Sequence, residues 1–107
     1  MSFSLRITNA PWFSKYWTAN LRAGSVYPNP YWMPLSTVWE CPYGAYGATD
    51  LEIIVVNSDY DIKHSKNGLG PVYDGREYEY NCSTGQLSEI VTQPQFDNFV
   101  IKSFNIR

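Results

Sequence analysis

Apolar side chains in this sequence recur at every second position, and no long stretch carries a helical spacing. A period of two is the signature of a strand with one buried face. Phe3, Leu5 and Ile7 alternate with Ser4, Arg6 and Thr8. Tyr60, Ile62 and His64 alternate with Asp61, Lys63 and Ser65, and Tyr78, Tyr80 and Cys82 with Glu77, Glu79 and Asn81. Leu51, Ile53, Ile54, Val55 and Val56 form a nearly continuous β-branched run, which suits a central strand covered on both faces. Towards the end, Phe99 and Ile101 alternate while Val100, Phe104 and Ile106 break the pattern, as a bulge or two-sided burial would.

The turn residues agree with strands. Asn67-Gly68 and Asp74-Gly75 are favoured pairs for two-residue hairpins, because both centre on positive φ. Ser83-Thr84-Gly85 is a third turn signal, and together these predict an antiparallel meander over residues 59–92. The earlier part holds Pro11, Pro28, Pro30, Pro34 and Pro42, with Gly24, Gly44 and Gly47. Proline removes a ladder donor, so strands there are short or at edges. Lys15–Val26 and Ser36–Cys41 are the expected ones. The resulting fold class is all-β: an antiparallel β-sandwich or compact barrel, with residues 1–107 as one domain and under about a tenth of them helical. Asn9 and Trp12 match Asn29 and Trp32 at a common spacing, but two positions do not make a repeat.

Charge narrows the partners. Charged residues are 17% of the chain and the net charge is −2. Nucleic-acid binding needs a basic field, so it is not expected. No apolar run approaches the roughly 18 residues of a membrane-spanning helix. The start lacks a basic, then apolar, then small-residue pattern, so no signal peptide is expected and the chain reads as cytoplasmic or secreted without a leader. Cys41 and Cys82 are the only cysteines. They form either one bridge, worth roughly 4 kcal/mol in the chain-entropy model, or two buried thiols. Asn81-Cys82-Ser83 fits a glycosylation acceptor, which matters only in a secretory route.

The aromatic residues are unevenly placed. Trp12, Phe13, Tyr16, Trp17, Tyr27, Tyr31, Trp32, Trp39, Tyr43 and Tyr46 all fall in the proline- and glycine-rich part, including all four tryptophans. Many must fill the core of a small sheet protein. Those on loops present flat apolar faces with polar tips, suited to stacking on a sugar ring, resting at a lipid interface or anchoring a protein. Tyr31 and Trp32, between Pro30 and Pro34, and Tyr43 and Tyr46, among glycines, are the candidate stacking residues. Asn29 and Asp50 are the candidate hydroxyl-fixing groups, with Asn57, Asp59, Asp61, Asp97 and Asn98 as further polar positions. The alternating oxygens of Asn57, Asp59 and Asp61 depart from a calcium loop, because Ile62 stands where glycine should and no closing acid follows.

Catalysis is poorly served. His64 is the single histidine and could pair with Cys41 or Cys82 only if the fold joined them. Glu77 and Glu79 share one strand face but lack the deep cleft of a glycosidase, and read better as charges guarding a sheet edge. One histidine and two distant cysteines make no zinc set, and no phosphate or dinucleotide loop occurs, so no metal and no cofactor is expected. The expected function is a small lectin-like module that binds glycans through loop aromatics. A membrane-interacting, toxin-like protein and a protein-interaction or inhibitor module are the alternatives, with an enzyme last. Single sugar sites are weak, near millimolar or about 4 kcal/mol, so a homo-oligomer is expected to supply avidity.

Overall fold

The computed structural model describes residues 2–22, 26–28, 32–41 and 46–91, with the side chains of 22, 26–28 and 46 excepted. The described residues contain strands and turns and no helix. One sheet orders β11 (Gln86–Ile90), β10 (Glu77–Asn81), β1 (Phe3–Thr8) and β5 (Trp39–Cys41). The other orders β3 (Val26–Pro28), β2 (Tyr16–Arg22), β7 (Asp50–Val56) and β8 (Ile62–Leu69), with β4 (Met33–Pro34) added to β2. A short ribbon pairs β6 (Tyr46–Ala48) with β9 (Val72–Tyr73).

The inner faces follow from the period of two. In the first sheet Phe3, Leu5 and Ile7 point inward beside Tyr78 and Tyr80, all buried. In the second, Trp17, Ala19 and Leu21 lie directly opposite Val55, Ile53 and Leu51, and all six are fully buried. The two inner faces share one hydrophobic cluster, which makes the fold a β-sandwich. Each large side chain fully removed from water there contributes about 1.5–3 kcal/mol.

The second sheet places Leu51–Val56 in its interior, as its composition predicts. Cover on both faces is only partial: Val56 is buried beside Val55, whereas Glu52 and Ile54 are half-buried. Asn20 donates to the Glu52 carboxylate at 2.8 Å on that outer face.

Elsewhere the path differs from the sequence reading. The expected strand 15–26 is two strands: β2 and β3 pair antiparallel with Arg22 opposite Val26. In the sequence Gly24 falls between Arg22 and Val26, and glycine is a poor strand former. The expected strand 36–41 shortens to Trp39–Cys41, because Ser36 sits in a turn closed by the Thr37 N–H donating to the Pro34 carbonyl.

The meander over 59–92 does not form. Asn67-Gly68 makes no hairpin, because β8 runs through it to Leu69. Instead an extra residue is absorbed between the pairs Leu51–Leu69 and Ile53–Lys66, and Gly68 has φ +66. Positive φ at glycine serves a bulge as well as a turn, so the dipeptide alone could not decide. The chain then crosses to the other sheet through β9, and β10 pairs parallel with β1, Leu5 opposite Tyr78. Only Ser83-Thr84-Gly85 closes the expected hairpin, with the Gly85 N–H donating to the Asn81 carbonyl. Since β10 lies inside its sheet, Glu77 and Glu79 are not edge charges; Glu79 pairs with Arg6 at 3.6 Å. The edge strand β8 carries exposed Lys63 and Lys66 instead. No disulfide joins Cys41 and Cys82, which are both buried thiols.

Candidate functional site

The two ends of the sandwich differ in chemistry. At one end β1 finishes, β2 begins and β7 finishes, with Tyr16 opposite both Val56 and Pro34. The Lys15 N–H donates to the Val56 carbonyl at 2.8 Å and holds the incoming chain against β7. This register brings three separate segments together: 9–16, 32–34 and 56–62.

Aromatic rings cover this end. Tyr60 stacks on Tyr16, ring centroids 5.7 Å apart and planes within 11°. Trp32 tilts against Tyr60 at 6.0 Å. The Lys15 ammonium lies over the Tyr16 ring, 5.6 Å from its centroid. On the neighbouring loop Trp12 meets Phe13 edge to face at 5.5 Å. These rings are in water: Trp12 is 81% exposed, Phe13 77%, Tyr60 57% and Trp32 42%.

The loop that presents Tyr60 is tied from within. The Asn57 side-chain oxygen accepts the N–H groups of Asp59 and Asp61, both at 2.9 Å. The Tyr60 N–H donates to the Asn57 carbonyl, and the Asn57 N–H to the Asp61 carbonyl. This closure forces Tyr60 to φ 63. An L-residue in that region costs roughly 1–2 kcal/mol. Phe13 (φ 67) and Asn9 (φ 53) are the other two such residues in the described part of the chain, and both lie at this same end. Asp59 and Asp61 are exposed beside Tyr60. The Asn57 oxygen that a cation would need is already taken by the backbone, and the described residues contain no cluster of three metal-ligating acids, histidines or cysteines.

The predicted site residues do not converge. Trp32 belongs to the aromatic end. Asp50 opens β7 and is exposed at the other end, roughly 20 Å away at about 3.3 Å per strand residue. Tyr46 opens β6, opposite Tyr73, also away from Trp32. Asn29, Tyr31 and Tyr43 lie outside the described residues, as do Asp97, Asn98 and the stretch from Phe99 to Ile106. Tyr16 and Tyr60 are the partners that the sequence reading missed. Tyr60 reads as the first inward residue of a strand, but Asn57-Ser58-Asp59 before it is a turn signal that places it on a loop.

His64 does not serve a cysteine. Its Nε2 shares a hydrogen bond with the Tyr80 hydroxyl. Burial raises the Cys82 thiol to about 11, so it stays protonated and un-nucleophilic near neutral pH. No family model matches the sequence, and no curated protein or solved structure matches it either.

Proposed function

We propose that this β-sandwich is a carbohydrate-binding module that stacks a sugar ring on the exposed faces of Trp32 and Tyr60. The observation that carries the reading is the fixed presentation of Tyr60. A strained φ is maintained there by the hydrogen bonds of Asn57 although the ring is largely in water, and strain held in this way clusters at functional sites. A ring held in place costs little entropy to order on binding. Tyr16 and Lys15 back the platform, and the Asp59 and Asp61 carboxylates beside it accept hydrogen bonds from hydroxyls.

A glycan array tests the reading, with wild type beside Trp32→Ala and Tyr60→Ala. Each substitution should weaken binding by roughly 1–3 kcal/mol. Both side chains are substantially exposed, so thermal melting should move little. No glycan binding by wild type would end the proposal. Collapse of melting in both variants would make the rings structural instead.

A second reading has its own support. Trp12 and Phe13 stand further into solvent than any other large apolar side chains described, on one turn closed by the Ser14 N–H and the Pro11 carbonyl. Such a pair suits a lipid interface. Co-flotation with neutral phosphatidylcholine vesicles, lost in Trp12→Ala/Phe13→Ala, would favour it over glycan binding.

A further inference from the structure

The opposite end of the sandwich holds a cavity of about 250 Å3, lined by Gly70, Pro71, Tyr73, Arg76, Tyr78, Leu87 and Glu89. It opens where edge strand β11 leaves the inner face uncovered: Glu89 sits opposite Tyr78 in the register, and Leu87 opposite Tyr80. The segment 70–76 closes the other side. Gly70 makes this possible, since a Cβ there would stand 2.4 Å from the Ala48 carbonyl oxygen. The volume falls just under the roughly 300–1,000 Å3 of small-molecule sites, which suits one ring-sized group.

Its polar groups are arranged in a definite way. Arg76 is 3.3 Å from the Glu89 carboxylate and lies over the Tyr73 ring at 5.1 Å. The Tyr73 ring also lies close to Gly47, where a Cβ would come within 3.3 Å of it, and the ring steadies the arginine. Tyr78 is 96% buried by its 4% exposure, and its hydroxyl accepts the Tyr73 N–H at 2.8 Å. That hydroxyl also carries a proton to donate, and Tyr78 lines the cavity. The guanidinium has further N–H donors beyond the one on Glu89, and the carboxylate has further lone pairs.

The pocket therefore offers donors and an acceptor side by side, with no net charge, between the apolar walls of Pro71 and Leu87. A carboxylate or ammonium ligand would be attracted by one member of the Arg76–Glu89 pair and repelled by the other, 3.3 Å away. A hydroxyl accepts from the guanidinium and donates to the carboxylate with the pair intact. We propose that this cavity is a second binding site, for a neutral polyhydroxylated ring such as a monosaccharide unit. The proposal stands on the cavity alone. Where the aromatic end also binds sugar, one chain holds two ligands at opposite ends and links glycans without oligomerising.

Backbone amide resonances followed during titration with methyl glycosides of glucose, galactose, mannose, fucose and N-acetylglucosamine test it. At least one glycoside should shift Gly70, Tyr73, Arg76, Leu87 and Glu89 saturably, at millimolar to tens-of-millimolar concentration. Glu89→Gln and Arg76→Met should each weaken that binding about tenfold, the loss of a charge-assisted hydrogen bond. Tyr78→Phe should weaken it less. Trp32→Ala and Tyr60→Ala should leave it unchanged, which separates failure of this site from failure of the aromatic end. Silence of these five residues with every glycoside would overturn the proposal. So would shifts produced by acetate or glycine but not by any sugar.

Discussion

Nε2 of His64 and the hydroxyl of Tyr80 meet at 2.5 Å, and this contact joins β8 of one sheet to β10 of the other. Tyr80 is fully buried and His64 is half-exposed. The two sides of the bond are therefore unequal. Tyr80→Phe leaves His64 able to turn to water and should cost about 1 kcal/mol. His64→Leu strands a buried hydroxyl and should cost roughly 1–3 kcal/mol. The double variant Tyr80→Phe/His64→Leu should cost less than the sum of the two. Urea unfolding of the four proteins checks the cycle, and additive losses would mean that the bond contributes nothing.

Asn57 is expected to control the aromatic platform from beneath. Its side-chain oxygen holds two backbone N–H groups. Asn57→Ala removes both bonds while keeping every ring. Stability should fall by about 1–2 kcal/mol, since each bond contributes roughly 0.5–1.5 kcal/mol and exposed N–H groups recover water. Released from φ 63, Tyr60 should leave Tyr16, and the near-ultraviolet circular dichroism of the stacked pair should diminish. Tyr60→Gly relieves the same strain and should be neutral or stabilising, even as it removes the ring. An unchanged aromatic spectrum in Asn57→Ala would show that stacking alone holds Tyr60.

These contacts mark the boundary of what is legible in the sequence. Alternation identified β1 and β10, because Phe3–Ile7 and Tyr78–Tyr80 each have one wet and one dry face. The β-branched run gave β7 its interior place. Partnership was a different matter. Nothing local distinguishes Asn67-Gly68 in a bulge from the same pair in a hairpin, and the parallel match of Leu5 to Tyr78 joins residues from opposite halves of the chain. The site was readable only as composition. Trp32 stands out because it lies between prolines, whereas Tyr16 is one aromatic among many and the alternation of Tyr60 with Asp61 reads as strand. Their convergence depends on the pairing of Tyr16 with Val56 and Pro34, which no short window contains.

The interior place of β7 has a consequence for exchange. Its backbone is bonded to β2 on one side and β8 on the other, and Leu51, Ile53 and Val55 are fully buried. Amide hydrogens of Ile53 to Val55 should exchange only through global unfolding, and so be among the slowest in the chain. Edge strand β8, exposed at most positions, should exchange faster by local opening. Native-state exchange followed by nuclear magnetic resonance checks the order, and equal rates in the two strands would contradict the central assignment of β7.

Alkaline pH should find the weakness of the inner face of the first sheet. Tyr78, Tyr80 and Cys82 follow one another at alternate positions, and burial raises the pKa of all three, Cys82 to about 11. In the unfolded chain a cysteine ionises near about 8.5 and a tyrosine near about 10. The folded values lie above the unfolded ones, so the folded state holds more protons between them. Stability from these groups is fully present below about pH 8.5 and is lost as pH rises towards and beyond 11. Denaturant midpoints should thus be level from pH 7 to 8, then fall steeply by pH 10.5. Cys82→Ala removes the lowest of the three unfolded values, so it should lower stability at pH 7 through lost packing yet flatten the decline between pH 8.5 and 10. A thiol reagent at pH 8 should modify Cys82 no faster than the protein opens, because its folded thiol is protonated and shielded. Rapid modification of native protein, or a midpoint unmoved up to pH 11, would contradict the burial of this row.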